Sequence, residues 1–375
     1  MGVVHRIWDQ NLLKVAGVIF SADCSLISLP LRFLLDQSSD KVWRSAEPHV
    51  VTAGFNDKLD IRRDGGGSGV FVVTLIAGSY ATPADYSAMV LARIVVADGT
   101  GGWTGSYNGS TRKHTFTSSA GVVTFLTNTG ANLATSAWRD LGFSTAANNT
   151  GTGSLGFEFV SDNAVSQGRH FVACDLLTAQ AMTAAAALGH NLSATGSISL
   201  KTSDTSIVHA LTAGNTDALT GDSDKVYKYI SRTNRYAVFL IDDPGNTDAF
   251  SQLAIVYAGT YRQPTVGYSN RYVEVGEDLS EIMLATEGAN YGDLRPEQRA
   301  WQLEWDNIAT ATGDAALFRA FRTATPKGKN FFFEFDQSLA TPSTLVYGYR
   351  ASPLPLPVTS GDYWTPSMTF VESIG

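Results

Sequence analysis

Cysteine is almost missing from this chain. Two residues in 375, Cys24 and Cys174, cannot build a disulfide framework. Each lies among small or apolar neighbours and reads as a buried hydrophobe, although their places in the two halves of one shell leave a pairing open. Charge is sparse as well. Charged residues make up 17% of the chain, and the net charge of −8 with a pI near 5.2 argues against nucleic acid as a partner. The basic residues that do come close together, Arg62-Arg63 and Arg112-Lys113 with His114, form no stripe and read as a solvated face. No apolar run approaches the length of a bilayer span, so no membrane insertion is expected. Met1-Gly2-Val3-Val4-His5-Arg6 lacks the plan of a secretion leader, and Arg6 stands where a myristoylation signal needs Ser or Thr. Synthesis in the cytoplasm without a signal peptide is the expectation.

Recognisable catalytic chemistry is missing too. There is no Gly-X-Ser-X-Gly elbow, phosphate-binding loop or dinucleotide fingerprint. The histidines at 5, 49, 114, 170, 190 and 209 are scattered singly, with no pair at metal-ligand spacing. Carboxylates are paired at Asp242-Asp243, Glu277-Asp278 and Glu304/Asp306. Asp242-Asp243-Pro244-Gly245-Asn246 is the one place to seek a calcium loop, but it lacks alternating oxygen ligands and its Pro-Gly is turn chemistry. Gly65-Gly66-Gly67-Ser68-Gly69 is followed by no Lys and reads as a hairpin tip or domain joint. The expectation is a protein with no catalytic residues, no metal and no cofactor, and not an enzyme.

What the chain does have is 44% hydrophobic residues and abundant Gly, Ser, Thr and Asn, which suits short strands joined by turns. Its length allows two or three domains. The early segments Asn11-Leu12-Leu13 and Val42-Trp43-Arg44-Ser45 find counterparts only at His170–Leu176 and Gly189-His190-Asn191-Leu192-Ser193. A stretch of different character separates them. This predicts a mainly β fold: a discontinuous β-sandwich from 1–58 plus 166–285, an inserted α+β domain at 59–165, and a C-terminal assembly domain at 286–375.

In the first segment, Leu26–Leu35 and Val50–Phe55 read as strands. In the insert, Val70–Leu75 reads as a strand, then Thr82 as N-cap and Pro83 at the first helical position open an amphipathic helix carrying Tyr86, Met89, Val90, Arg93 and Ile94. Trp103–Tyr107 and Lys113–Thr117 form a hairpin around Asn108-Gly109-Ser110, where Asn-Gly favours positive φ. Val122–Leu126 and a short helix around Asn132–Leu141 follow. Beyond the insert, Phe171–Leu176, Ser197–Thr202, Tyr236–Ile241 and Leu253–Gly259 alternate as sandwich strands. Near the end come a strand at Arg299–Trp305, a helix at Asp314–Arg322, an apolar strand at Asn330–Asp336, a Pro353-Leu354-Pro355-Leu356-Pro357 run outside any sheet, and a strand at Trp364–Val371. Trp43, Trp301 and Trp305 read as core.

Aromatic pairs supply the candidate contacts. Trp103 with Tyr107 and Tyr257 with Tyr261 could each stack on a glycan ring, as could Tyr268 with Tyr272; cross-strand packing is the other reading of each pair and the favoured one.

Taken in order, Asn11–Leu13, Val42–Ser45, Asp175-Leu176 and His190–Ser193 resemble the discoidin-like (galactose-binding-like) jelly roll of tail-tip and baseplate proteins from long-tailed bacteriophages. Ile255–Gly259, Arg299–Leu303 and Trp364–Glu372 follow the same family's course. Within the insert, Val73–Tyr80, Thr129–Asn132 and Leu141–Phe143 resemble segments of phage virion proteins. The resemblance implies a virion structural protein of the tail tip, a homo-oligomer arranged as a ring or trimer about the tail axis, with other tail proteins as partners. Pro353, Leu354, Pro355 and Trp364 are the candidate assembly contacts. A receptor module reading host-surface glycans is the alternative, and a cell-wall-sugar hydrolase ranks last.

Overall fold

The computed structural model describes residues 5–14, 18–22, 34, 42–45, 50–64, 69–99, 101–119, 121–151, 157–162, 169–243, 245–246, 248, 250–268, 273–277, 281–284, 290–293, 298–335, 344–356, 358–360 and 362–373. The fold is mainly β and its strand pairs are antiparallel throughout the principal sheet. That sheet runs, edge to edge, through Asn215–Ala218, Ser197–Ser203, Lys225–Asp242, Arg169–Leu188, Ile255–Arg262, Arg6–Asn11, Asn330–Glu334, Leu345–Arg350, Ser367–Glu372, Gln298–Glu304 and Val273–Glu277.

Arg6–Asn11 joins the two ends of the chain. Ile7 lies opposite Arg262 on one side and Phe333 on the other. Side chains alternate across a strand, so Ile7 enters a core with Trp301, Trp305 and Phe318, while Trp8 enters a second core with Tyr257 and Phe332. Val273–Glu277 pairs with Gln298–Glu304, so the ladder runs straight across position 285/286.

The alanines at 181 and 184–187 belong to one long strand, Arg169–Leu188. Ala185 and Ala187 face a core with Trp43, Val172 and Phe239, whereas Ala184 and Ala186 lie under Trp8, Tyr227 and Tyr257. Small side chains leave room for large aromatics on the neighbouring strands, which is why a helix-favouring residue is held extended here. The ladder bulges between Asp175 and Gln180; Leu177 takes φ +67 there, and Arg235 holds Asp175 through two nitrogens at 2.7 and 2.8 Å.

Leu13, Leu34 and Trp43 from the first segment are buried in that same core with residues from 172–258. The strand expected at Leu26–Leu35 lies outside the described residues, apart from the buried Leu34. The one expected at Val50–Phe55 is short: Val50–Val51 pairs with Gly78–Ser79, then the chain turns at Gly54, φ +76.

The inserted stretch builds its own core around Tyr86, Val90, Ile94, Phe116, Phe125, Trp138 and Phe159. Two small sheets and the helix Pro83–Asp98 enclose it. Thr82 caps that helix by accepting from Asp85 N–H at 3.1 Å, worth about 1 kcal/mol, and Gly99 ends it at φ +69. The hairpin Trp103–Asn108/Lys113–Ser118 forms, but positive φ falls at Arg112 and not at Gly109. Asn108 Oδ1 instead accepts from Ser110 and Thr111 N–H, which lengthens the turn. No α-helix forms at Asn132–Leu141, only a 3-10 turn at Leu133–Thr135. The buried Asp60 carboxylate takes both Asn132 N–H and Nδ2 at 2.7 Å, which anchors this segment before a helix can propagate.

At the C-terminal end, Trp301, Leu303 and Trp305 share one buried face, as their spacing requires. The helix Gly313–Ala324 packs Ala315, Phe318 and Phe321 against them. The last expected strand is divided into Tyr363–Trp364 and Ser367–Glu372 by Pro366, which has no N–H for a ladder.

Candidate functional site

Where the Arg169–Leu188 strand ends, Gly189 takes φ +62, and a Cβ there would lie 2.5 Å from Ala254 Cβ. Only glycine fits this exit. The next residues gather distant parts of the chain. Asn191 Nδ2 donates to Phe250 O and Asp248 Oδ2, both at 2.8 Å, while its Oδ1 accepts from Gln252 N–H at 2.7 Å. Gln252 Nε2 reaches back to Gly189 O, and its Oε1 accepts from Arg44 Nε at 2.9 Å. Trp43-Arg44 pairs with Gln252-Leu253, and Ser45 exchanges two bonds with Ser251. Three segments, 43–45, 189–193 and 250–253, are thus tied into one polar knot above the buried Trp43.

Beside the knot opens a cleft of about 510 Å³ with His190, Leu192, Ser193, Leu219, Asp222 and Val226 in its walls. Asp243 forms its support: the buried carboxylate accepts from Ser193 N–H at 2.7 Å, from Ser193 Oγ at 2.5 Å and from Gly245 N–H. Asp243, in the segment where a calcium loop was sought, is therefore occupied by loop donors; Pro244 lies outside the described residues. The Ser193 hydroxyl donates its hydrogen bond directly to Asp243. His190 Nδ1 accepts from Leu192 N–H at 3.4 Å, so no serine–histidine relay is formed by these bonds. Burial lowers the His190 pKa, opposed by Asp224, Asp222 and Asp243. Among the described residues no group of three or more His, Cys, Asp or Glu side chains is placed to hold a metal.

The second wall of the cleft, Leu219–Val226, was not singled out from the sequence. Its signal was the turn cluster Thr220-Gly221-Asp222-Ser223-Asp224. A Cβ on Gly221 would collide with the Lys225 carbonyl, so this turn also depends on its glycine.

The aromatic candidates are not brought together. Trp103 is only 7% exposed; it stacks on Phe125 and Phe159 and donates Nε1–H to Asp98. Tyr257 is buried, with its hydroxyl on Thr260 O at 2.6 Å. Neither presents a ring face to a sugar, which corrects the stacking reading for both. Tyr107 and Tyr261 are half-buried, packed on His114 and Tyr229 respectively. Tyr268 is core and Tyr272 lies outside the described residues.

The assembly candidates divide similarly. Pro353 and Pro355 are exposed, but Leu354 and Trp364 belong to the core of Trp301 and Phe318. Leu354 and Trp364 are therefore packed into the interior and not offered to a partner. The basic group divides: Arg62 is exposed and Arg112 and Lys113 are half-buried, whereas His114 is fully buried and Arg63 pairs with Asp98 at 2.6 Å. Cys174 is a free, buried thiol whose pKa burial pushes up; Cys24 lies outside the described residues.

Compared with known proteins, the sequence matches no family model and no curated protein.

Proposed function

We propose that this chain is a virion structural protein of a phage tail tip or baseplate, a discoidin-like jelly roll that acts as an assembly adaptor. The observation that carries the reading is the polar knot. Trp43-Arg44-Ser45 and His190–Ser193, two of the segments that resemble the tail-tip family, are bound to one another through Asn191 and Gln252. Asn11, from a third such segment, donates to Val256 O and accepts from Ala258 N–H within the strand that follows. A shared order of short motifs has structural meaning when those motifs contact one another. The partners are other tail proteins and further copies of the chain about the tail axis. Mass spectrometry and gold-label imaging of purified particles test this: the chain should occur at one end of the tail in a fixed copy number, and particles without it would end the proposal.

The cleft favours a second reading, a receptor module for a host-surface glycan. Its apolar Leu192, Leu219 and Val226 beside the Asp222 carboxylate and the serine hydroxyls suit a sugar ring with one apolar face. A glycan array should then show binding that Asp222→Ala removes and Trp103→Phe leaves intact; a silent array excludes this reading.

A further inference from the structure

Gly69–Thr74 is the outer strand of the insert's four-stranded sheet, and among the described residues only Lys58–Asp64 pairs with it. Main-chain groups alternate along a strand. Leu75 N–H donates to Asp57 O, so Phe71 and Val73 direct their N–H and C=O inward to the Lys58–Asp64 strand. Those of Val70, Val72 and Thr74 point outward. Arg93 Nε caps the Thr74 carbonyl at 2.8 Å, which leaves the outward groups of Val70 and Val72 as the open part of the edge among the described residues.

Both edges of the principal sheet carry charge. Asn215–Ala218 holds Asp217, bound by Arg232 and Lys228, and Val273–Glu277 holds Glu274 and Glu277. Charge is the usual protection of an edge against pairing. Gly-Val-Phe-Val-Val-Thr has none, in a chain of net charge −8, and Val70 and Val72 are 54% and 46% exposed.

We propose that this edge pairs antiparallel with the same edge of a second copy of the chain, about a two-fold axis at Phe71. Outward groups must meet outward groups, and Thr74 is capped, so the register sets Val70 opposite Val72 of the second copy. Each of these two pairs exchanges two backbone hydrogen bonds. Phe71 meets its own counterpart across the axis on the opposite face of the ladder. The three central cross-strand pairs are then β-branched or aromatic, the combinations that stabilise antiparallel ladders, and no like charges are opposed. An isologous contact requires such self-complementarity. The inference is independent of the tail-tip reading, since it concerns the purified chain alone.

Sedimentation equilibrium of the full chain over a range of concentrations tests it. The wild type should dimerise with rising concentration. Val70→Lys/Val72→Lys places lysines opposite each other and should weaken association at least tenfold; Val70→Lys/Val72→Glu opposes unlike charges and should restore a dimer that salt weakens. Far-UV circular dichroism checks that both variants fold. Hydrogen exchange of the unmodified chain supplies a readout free of mutation, with the Val70 and Val72 amides gaining protection as concentration rises. A wild type that stays monomeric, a double-lysine variant that associates as tightly as the wild type, a Lys/Glu variant no better than the double lysine, or exchange at Val70 and Val72 that ignores concentration would each overturn the proposal.

Discussion

Gln252 N–H donates to Asn191 Oδ1 at 2.7 Å, a contact across 61 residues that also fixes Trp43-Arg44-Ser45 at the rim of the cleft. Removing the Asn191 side chain leaves the Gln252 N–H and the Phe250 carbonyl without this partner. An unmade buried hydrogen bond costs about 1–3 kcal/mol. Asn191→Ala should therefore lower the urea midpoint by a free energy in that range. Asn191→Asp keeps the acceptor for Gln252 but sets a second carboxylate beside Asp248, so its loss should be larger at pH 7 than at pH 4. Equal losses at both pH values would contradict the geometry.

The joint between insert and shell rests on Asp140, which is buried and accepts from Asn56 Nδ2 at 2.7 Å and from Arg169 N–H at 3.3 Å. Arg139 pairs with Asp242 beside it, and Arg169 Nη2 donates to Ser136 O at 2.7 Å. Asp140→Ala removes the acceptor of Asn56 Nδ2 and Arg169 N–H, at a cost of about 2–3 kcal/mol. Exchange protection should fall first at Trp138 and Phe143, while Phe239 in the shell stays protected. Uniform loss across both cores would show that the two parts unfold as one unit.

These two sites also mark what the sequence could and could not reveal. Alternation exposed the strand at 299–305, and the Thr82-Pro83 opening exposed the helix at 83–98, because both depend on neighbours a few residues apart. Arg6–Asn11 gave little such signal: its place between Ile255–Arg262 and Asn330–Glu334 is decided by residues more than two hundred positions away. The alanines at 184–187 carry no local strand signal either, since they are held extended with Trp8 and Tyr257 packed in the space above Ala184 and Ala186. The cleft was half visible. Gly189–Ser193 stood out as a motif, but no local pattern tells that Asp243 will lie beneath Ser193. Trp103 and Tyr257 are packed inside, the favoured of their two readings; sugar stacking stayed open for them because an aromatic pair at strand spacing has the same appearance whether its rings face solvent or core.

Glu334 lies opposite Arg6 at 3.2 Å with its side chain 1% exposed, and the Arg6 guanidinium also sits 3.9 Å above the Tyr229 ring. This pair links the first strand to the C-terminal ladder. Breaking a buried ion pair from one side costs about 3–5 kcal/mol, because the remaining charge is left in a poor solvent; replacing both members with apolar groups costs far less. Glu334→Ala should fall in that range by urea titration, and Arg6→Met/Glu334→Met should recover most of the loss. A double variant as unstable as Glu334→Ala would mean that packing, not charge, dominates at this contact.

His114 makes the stability of the insert depend on pH. Its ring is fully buried between Tyr86, Tyr107 and Phe116, and burial lowers its pKa from 6.5 to about 4. In the unfolded chain the imidazole takes up its proton near pH 6.5, whereas the folded chain resists until about pH 4. Across that window the unfolded state binds more protons, so stability falls as pH falls and the loss levels off below the folded value. The difference between the two values corresponds to about 3 kcal/mol at most. His190, whose pKa burial also lowers, acts in the same direction. His114→Phe replaces the titrating ring with one that suits its aromatic surroundings. Urea unfolding at pH 7, 5.5 and 4, followed by Trp138 fluorescence in a background of other tryptophans replaced by Phe, should show the wild-type free energy dropping while the variant's changes much less. Parallel curves for the two proteins would mean that this histidine is not the group that titrates.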